Sequence, residues 1–125
     1  KFRNVSRDIG SSMKSVGEVM SIGRKFEEAL QKAIRMTDIG AHGIVCNEFS
    51  YDIEKELASP GDERLLAVAE AIKVGYGCEE VSKLTGIDNW FLHKIKNIIE
   101  ALLIVSEGGL CRAVFLMPQE VLEML

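Results

Sequence analysis

The segment Ser11-Ser12-Met13-Lys14-Ser15-Val16-Gly17-Glu18-Val19-Met20-Ser21-Ile22-Gly23-Arg24 decides how the rest of the chain is interpreted. It sets two glycines six residues apart, places Lys14 and Glu18 beside small residues, and leads directly into a helical pattern. Its apolar residues alternate in part, which predicts a short strand over residues 16–22. The following helix then needs an apolar partner, most simply a sheet that contains this strand.

The helical pattern covers residues 25–38. Glu27 and Glu28 lie in its first turn, where the helix dipole favours negative charge. Gly40 follows as a plausible stop. The residues of its apolar face recur at helical spacing: Phe26, Leu30, Ala33 and Ile34.

Residues 40–59 are irregular, apart from a short helical pattern at 51–57. A turn around Pro60 predicts a boundary between a unit at 1–58 and a second unit at 60–125. The second unit is helical throughout, and Asp88 is a good N-cap for its longest helix. The helices predicted there cover 62–74, 78–84, 88 to about 105, and 118–125.

Composition excludes several classes of protein. A formal charge of −4 argues against nucleic-acid binding, and there is no apolar run near the length of about 20 residues that spans a bilayer. Cys46, Cys78 and Cys111 are odd in number and widely spaced, which predicts three reduced thiols in a cytosolic protein. The sequence starts without an initiator Met or an apolar signal region, so we expect it to be a segment cut from a longer chain.

Three blocks resemble the large chain of carbamoyl-phosphate synthase. The first is the segment at 11–24. The second continues it as Phe26-Glu27-Glu28-Ala29-Leu30-Gln31-Lys32-Ala33-Ile34-Arg35-Met36, and the third is Leu84-Thr85-Gly86-Ile87-Asp88-Asn89-Trp90-Phe91-Leu92-His93-Lys94-Ile95, with 63–75 upstream of it. The resemblance implies a mainly α fold. In the fold that the resemblance implies, a short strand-plus-helix remnant of an ATP-grasp α+β domain comes first and is the end of the carboxyphosphate-synthesising unit. A helical oligomerisation domain follows it.

The resemblance also implies a parent enzyme, a ligase that makes carbamoyl phosphate from bicarbonate and glutamine-derived ammonia for pyrimidine and arginine synthesis. Such a parent uses ATP and magnesium, receives ammonia from a glutaminase chain or domain, and is cytoplasmic or, in some forms, mitochondrial. Its catalytic residues lie outside this segment, so we carry none over and expect the piece alone to be non-catalytic and without a cofactor. Its implied partners are further copies and other domains of the same large chain, with no nucleic acid and no membrane.

Two polar side chains are weak candidates for shaping a pocket. Lys14 and Glu18 flank Ser15 and Gly17, where they would lie close to a phosphate. The alternative is a structural ion pair or hydrogen bonds to neighbouring backbone. The two histidines, His42 and His93, have no metal-ligand spacing, so we predict no metal site.

Five apolar residues are candidates for a self-association interface. Trp90 and Phe91 are adjacent on a helix and point about 100° apart, so one core face rarely takes both. One of them is then expected to face a partner, unless both pack within the helical domain. The five candidates are Tyr76, Val81, Leu84, Trp90 and Phe91.

Two alternatives belong to other classes of protein. A helix-turn-helix DNA-binding module would use the helix at 88–99 for recognition. The positive charges of Lys94 and Lys96 on that helix are opposed by the negative charge of Asp88 and by the net negative charge of the chain. A free-standing interaction protein that reuses the same domain is the other.

Overall fold

A computed structural model describes residues 5–15, 17–45, 47, 50 and 52–106, with the side chains of 103–106 excluded. Five helices and no strand occur in these residues, so the predicted mainly α fold is confirmed. The helix predicted at 118–125 lies outside the described residues. The helices are α1 (Phe26–Met36), α2 (Ile53–Ala58), α3 (Arg64–Lys73), α4 (Cys78–Thr85) and α5 (Asn89–Ser106).

Polar caps and one left-handed glycine set the helix ends. The Asp52 carboxylate accepts a hydrogen bond from the backbone N–H of Lys55 and begins α2. Asp88 does the same for Trp90 at 2.8 Å, so the predicted cap of α5 is confirmed. Gly86 ends α4 at φ 73°, a conformation that favours glycine. Lys25 gives α1 no side-chain cap.

The core lies where α2, α3, α4 and α5 pack on one another. Phe91 and Leu65 remain 43% and 38% exposed, because the inward faces of α5 and α3 begin one residue later, at Leu92 and Leu66. The buried face of α5 consists of Leu92, Ile95, Ile98, Ile99 and Leu102.

The strand predicted at 16–22 was wrong for the described residues 17–22. These residues lie beside α1 without pairing to another strand. The Ser21 hydroxyl donates to the carbonyl of Ala29, and the Lys32 ammonium donates to the carbonyl of Ile22. Alternation alone cannot form a strand, because the ladder also needs a neighbour for its backbone groups.

Residues 5–15 form an exposed strap that is tied to the turn before α3. The N–H of Ile9 donates to the carbonyl of Pro60 at 2.7 Å. The Arg7 guanidinium forms ion pairs with Asp62 and Glu63 at 2.8 and 2.7 Å. The strap is therefore attached to the turn at the predicted boundary near Pro60, and that boundary itself stays a prediction.

The described residues of the connection between α1 and α2 include core positions, although they form no helix or strand. Ala41, Ile44 and Val45 are buried in it. The side chain of Gln31, on α1, accepts a hydrogen bond from the N–H of Ile44 at 2.7 Å. A Cβ on Gly43 would lie 2.6 Å from the same Gln31 oxygen, so glycine allows this close approach.

Candidate functional site

The strongest candidate site is the contact between α1 and α5, which we call the α1–α5 joint and define by Phe26, Glu27, Trp90, Phe91, Lys94 and Asn97. Glu27 is its only buried charged residue at 2% exposure. Its Oε1 accepts a hydrogen bond from Asn97 at 3.0 Å and forms an ion pair with Lys94 at 3.2 Å. Its Oε2 is buried without a hydrogen-bond partner.

The surroundings of Glu27 lower the pKa of its carboxyl. Burial by itself raises that pKa, because it disfavours the charged form. The hydrogen bonds from Asn97 and from the backbone, together with Lys94, outweigh the burial and leave the pKa below its usual 4.5. Glu27 is therefore a carboxylate at neutral pH, and Lys94 supplies the opposite charge.

Three aromatic rings form the second part of the joint. Phe26, on α1, contacts Trp90 edge-to-face with ring centroids 5.3 Å apart, and it contacts Phe91 at 5.4 Å. Trp90 and Phe91 contact each other at 5.0 Å. The Lys94 ammonium lies 5.4 Å from the centre of the Trp90 ring, a cation–π distance. Lys94 thus lies between the Glu27 carboxylate and the face of the Trp90 ring.

The structure separates the five interface candidates. Val81 has no exposed surface and packs in the core, so its assignment to an interface was wrong. Tyr76 is partly buried against the same core. Leu84, Trp90 and Phe91 are 50%, 51% and 43% exposed. These three remain candidates, and two of them belong to the α1–α5 joint.

The predicted pocket residues lie apart from the joint. The Lys14 ammonium donates to the carbonyls of Ser6 and Asp8 at 3.0 and 2.9 Å, which is the backbone role given as its alternative. It also lines a surface hollow of about 340 Å³ in the strap. Glu18 is exposed, and no ion pair joins these two described side chains. Their role in shaping a pocket stays a prediction.

The other candidate groups form no cluster in the described part of the chain. Cys78 is a free, partly buried thiol, whereas Cys46 and Cys111 lie outside the described residues. His42 and His93 are both exposed. No three His, Cys, Asp or Glu side chains in the described ranges are grouped to hold a metal ion. Among the same residues, no helix has the length and apolar character needed to cross a membrane.

The lysines of the supposed DNA-recognition helix are engaged within the protein. Lys94 is paired with Glu27, and Lys96 lies 3.6 Å from Glu100 on the next turn of α5. Trp90 contacts two phenylalanine rings. A helix that reads bases must present its cations and amides to the groove.

Sequence reasoning did not find the polar part of the joint. Glu27 was expected in the first turn of α1 only because the helix dipole favours acidic residues there. Its partner Asn97 lies 70 residues further along the chain, and periodicity contains no information about such a pair. A usable signal was the adjacent pair Trp90 and Phe91, which one core face could not bury.

Comparison with known proteins gives matches that cover most of the chain. The family model for the carbamoyl-phosphate synthetase large chain, oligomerisation domain, matches residues 18–118. The multifunctional protein CAD of Squalus acanthias is 50% identical over 86% of this chain. The carbamoyl phosphate synthase large chain of Methanobrevibacter smithii is 49% identical over 93% of it. The mitochondrial arginine-specific large chain of Neurospora crassa is 50% identical over 80% of it.

The chain spans only a small part of each relative. The aligned residues make up 5% of the Squalus protein, 11% of the Methanobrevibacter protein and 9% of the Neurospora protein. The similarity therefore applies to one region of much longer proteins.

Proposed function

Because the chain belongs to the family of carbamoyl-phosphate synthetase large chains and matches their oligomerisation domain, we propose that it is a structural and self-association module of such an enzyme. The family expected from the three sequence blocks is thereby confirmed. The comparisons contain nothing that supports the DNA-binding alternative.

The parent activity is the first part of the proposal. The parent makes carbamoyl phosphate from bicarbonate and glutamine-derived ammonia, uses ATP and magnesium, and works beside a glutaminase chain or domain. The proposed location of the parent enzyme is the cytoplasm, although the name of the Neurospora relative describes it as mitochondrial. What supports the parent activity is identity of about half over most of this chain.

The structural role is the second part, and the α1–α5 joint supports it. Residues 1–58 would end the carboxyphosphate-synthesising unit, and residues 60–125 would begin the oligomerisation domain. The joint holds α1 against α5, the longest described helix, through the buried Glu27, and both helices lie within the residues that match the oligomerisation domain. The pairing of Glu27 with Lys94 and Asn97 favours this one orientation of the two helices, because leaving the buried Glu27 charge unpaired is unfavourable.

The self-association role is the third part. Leu84, Trp90 and Phe91 expose about half of their apolar side chains at the end of α4 and the start of α5. Exposed apolar groups that are contiguous in space are typical of protein interfaces, and tryptophan is often the anchor; the Trp90 and Phe91 rings are in contact at 5.0 Å. A second copy of the chain is the partner that the family description indicates.

Sedimentation velocity over a range of concentrations tests the self-association. We expect the chain to form dimers or higher states, and Leu84→Glu to shift it towards monomer. Val74→Glu is the matched control, since Val74 is also apolar and 59% exposed but ends α3. A chain that stays monomeric at high concentration would contradict the proposal, as would equal effects of the two substitutions.

An activity assay tests the non-catalytic role. The purified chain is expected to show no bicarbonate-dependent ATP hydrolysis. Measurable turnover that depends on bicarbonate would contradict the assignment of the chemistry to other parts of the parent.

A further inference from the structure

We propose that the α1–α5 joint is a reversible latch, and that docking of a second copy over Trp90 and Phe91 tightens it. This inference rests on the proposed self-association. It makes the joint a conformational link between the assembly state and the position of α1.

The packing of α1 is the first observation. Among the described helices, α2, α3 and α4 pack on one another and α3 and α4 also pack on α5, whereas α5 is the main helical neighbour of α1. α1 also places Ile34, 6% exposed, in the core cluster with Leu30 packed against it, and Gln31 accepts a hydrogen bond from Ile44. Because α1 has fewer helical neighbours than α3 or α5, it belongs to the elements that open at lower free energy than the rest of a fold.

The composition of that contact is the second observation. A permanently closed contact is best built from well-packed apolar groups. Here Glu27 is buried with Oε2 unpartnered, and its cation Lys94 remains 29% exposed. Phe26 is only partly buried between two half-exposed rings. An unsatisfied buried oxygen beside a solvated ion pair makes the open state of the joint accessible.

The shared residues are the third observation. Trp90 and Phe91 contact Phe26 inside the joint and also present half of their surface outward. Lys94 contacts both the Trp90 ring and the Glu27 carboxylate. A second copy that covers Trp90 would exclude water from around Lys94, which is 29% exposed. The desolvated ammonium then depends on Glu27 to offset its lost hydration, and the attraction between them strengthens as the dielectric falls. Association and latch closure therefore favour each other, and this coupling is reciprocal.

Amide hydrogen exchange on the 125-residue chain measures the latch directly. We expect the amides of α1 to exchange faster than those of α3 when the chain is dilute. Protection of α1 should rise by at least about fivefold as the concentration passes through the association seen by sedimentation. Protection of α3 should stay unchanged over the same range.

A matched pair of substitutions tests the role of the buried charge. Glu27→Gln should increase α1 exchange roughly tenfold, because it removes a charge-assisted contact. Glu100→Gln, on the exposed side of α5, should leave it unchanged. If Glu27→Gln loses its circular dichroism signal, Asn97→Ala serves as the milder variant, since it removes only the hydrogen bond at 3.0 Å.

The outcomes separate the linkage from the proposed function. If the chain associates but α1 protection does not change with concentration, the linkage is wrong and the self-association stands. If the chain remains monomeric at every concentration, both fail. If Glu27→Gln and Glu100→Gln affect α1 equally, Glu27 does not close the latch.

Discussion

Removing the cation of the buried pair should destabilise the protein by about 2 kcal/mol. Lys94→Met keeps the aliphatic bulk of Lys94 but leaves the Glu27 carboxylate with Asn97 as its remaining side-chain partner. Breaking a fully buried pair costs about 3–5 kcal/mol, and a hydrogen bond to a charged group contributes about 1.5–3 kcal/mol. Lys94 is 29% exposed, so water partly replaces it and the cost falls towards the lower range.

The matched control lies on the same helix. Lys96 pairs with Glu100 at 3.6 Å, and their side chains are 48% and 58% exposed. Exposed pairs at this spacing contribute about 0.3–0.5 kcal/mol, so Lys96→Met should cost no more than that. The difference between the two lysines isolates the effect of burial.

Urea unfolding followed by the fluorescence of Trp90, the single tryptophan of the chain, is the assay. A double-mutant cycle with Glu27→Gln separates the ion pair from the cation–π contact between Lys94 and Trp90. We expect a coupling free energy of at least about 1 kcal/mol between Glu27 and Lys94. A coupling within about 0.3 kcal/mol of zero, or equal costs for Lys94→Met and Lys96→Met, would refute the reasoning.

Three further predictions concern pH, the core and a helix end. The pKa of Glu27 is lower in the folded protein than its usual 4.5, so the stabilisation that its carboxylate provides is complete above that pH and declines as the pH falls below it. Chemical denaturation across this range should show the decline in the free energy of unfolding, and the Glu27→Gln variant should show a smaller decline. Leu92→Ala should lower the free energy of unfolding by about 2–5 kcal/mol, because Leu92 has no exposed surface. Leu84→Ala, at a residue that is 50% exposed, should change the free energy of unfolding by less than about 0.5 kcal/mol. Similar costs for the two substitutions would contradict the assigned buried face of α5. Gly86→Ala should cost about 1–2 kcal/mol in thermal or chemical unfolding because φ is 73° and no neighbour crowds the site, while Gly77→Ala at φ −71° should be close to neutral.

Local rules predicted the helices well but not how they meet. The Asp88 cap follows from the chemistry of a single residue and is confirmed. The first buried residue of α5 could not be predicted, because Phe91 and Leu92 are both apolar and periodicity does not rank them. The strand at 16–22 failed for a related reason, since pairing depends on a neighbouring strand as well as on the segment itself.

The candidate site was predicted only in its apolar half. Trp90 and Phe91 were not expected to be buried together on one core face, and both remain about half exposed. The burial of Glu27 could not be predicted, because its charge is balanced by Lys94 and its Oε1 accepts a hydrogen bond from Asn97, and both partners are distant in sequence. Polar pairs of this kind depend on the positions of the partners in the folded structure, and the periodicity of the sequence does not indicate them.

The buried connection between α1 and α2 limits how genes for this fold can be recombined. Ala41, Ile44 and Val45 belong to the same core cluster as Leu66 and Leu92, which lie beyond the turn at Pro60. A crossover near that turn would combine a connection from one gene with a helical core from another, and the side chains on the two sides would no longer be matched in volume. Exchanges that keep residues 26–102 from one parent are therefore expected to preserve folding better than exchanges made at the turn.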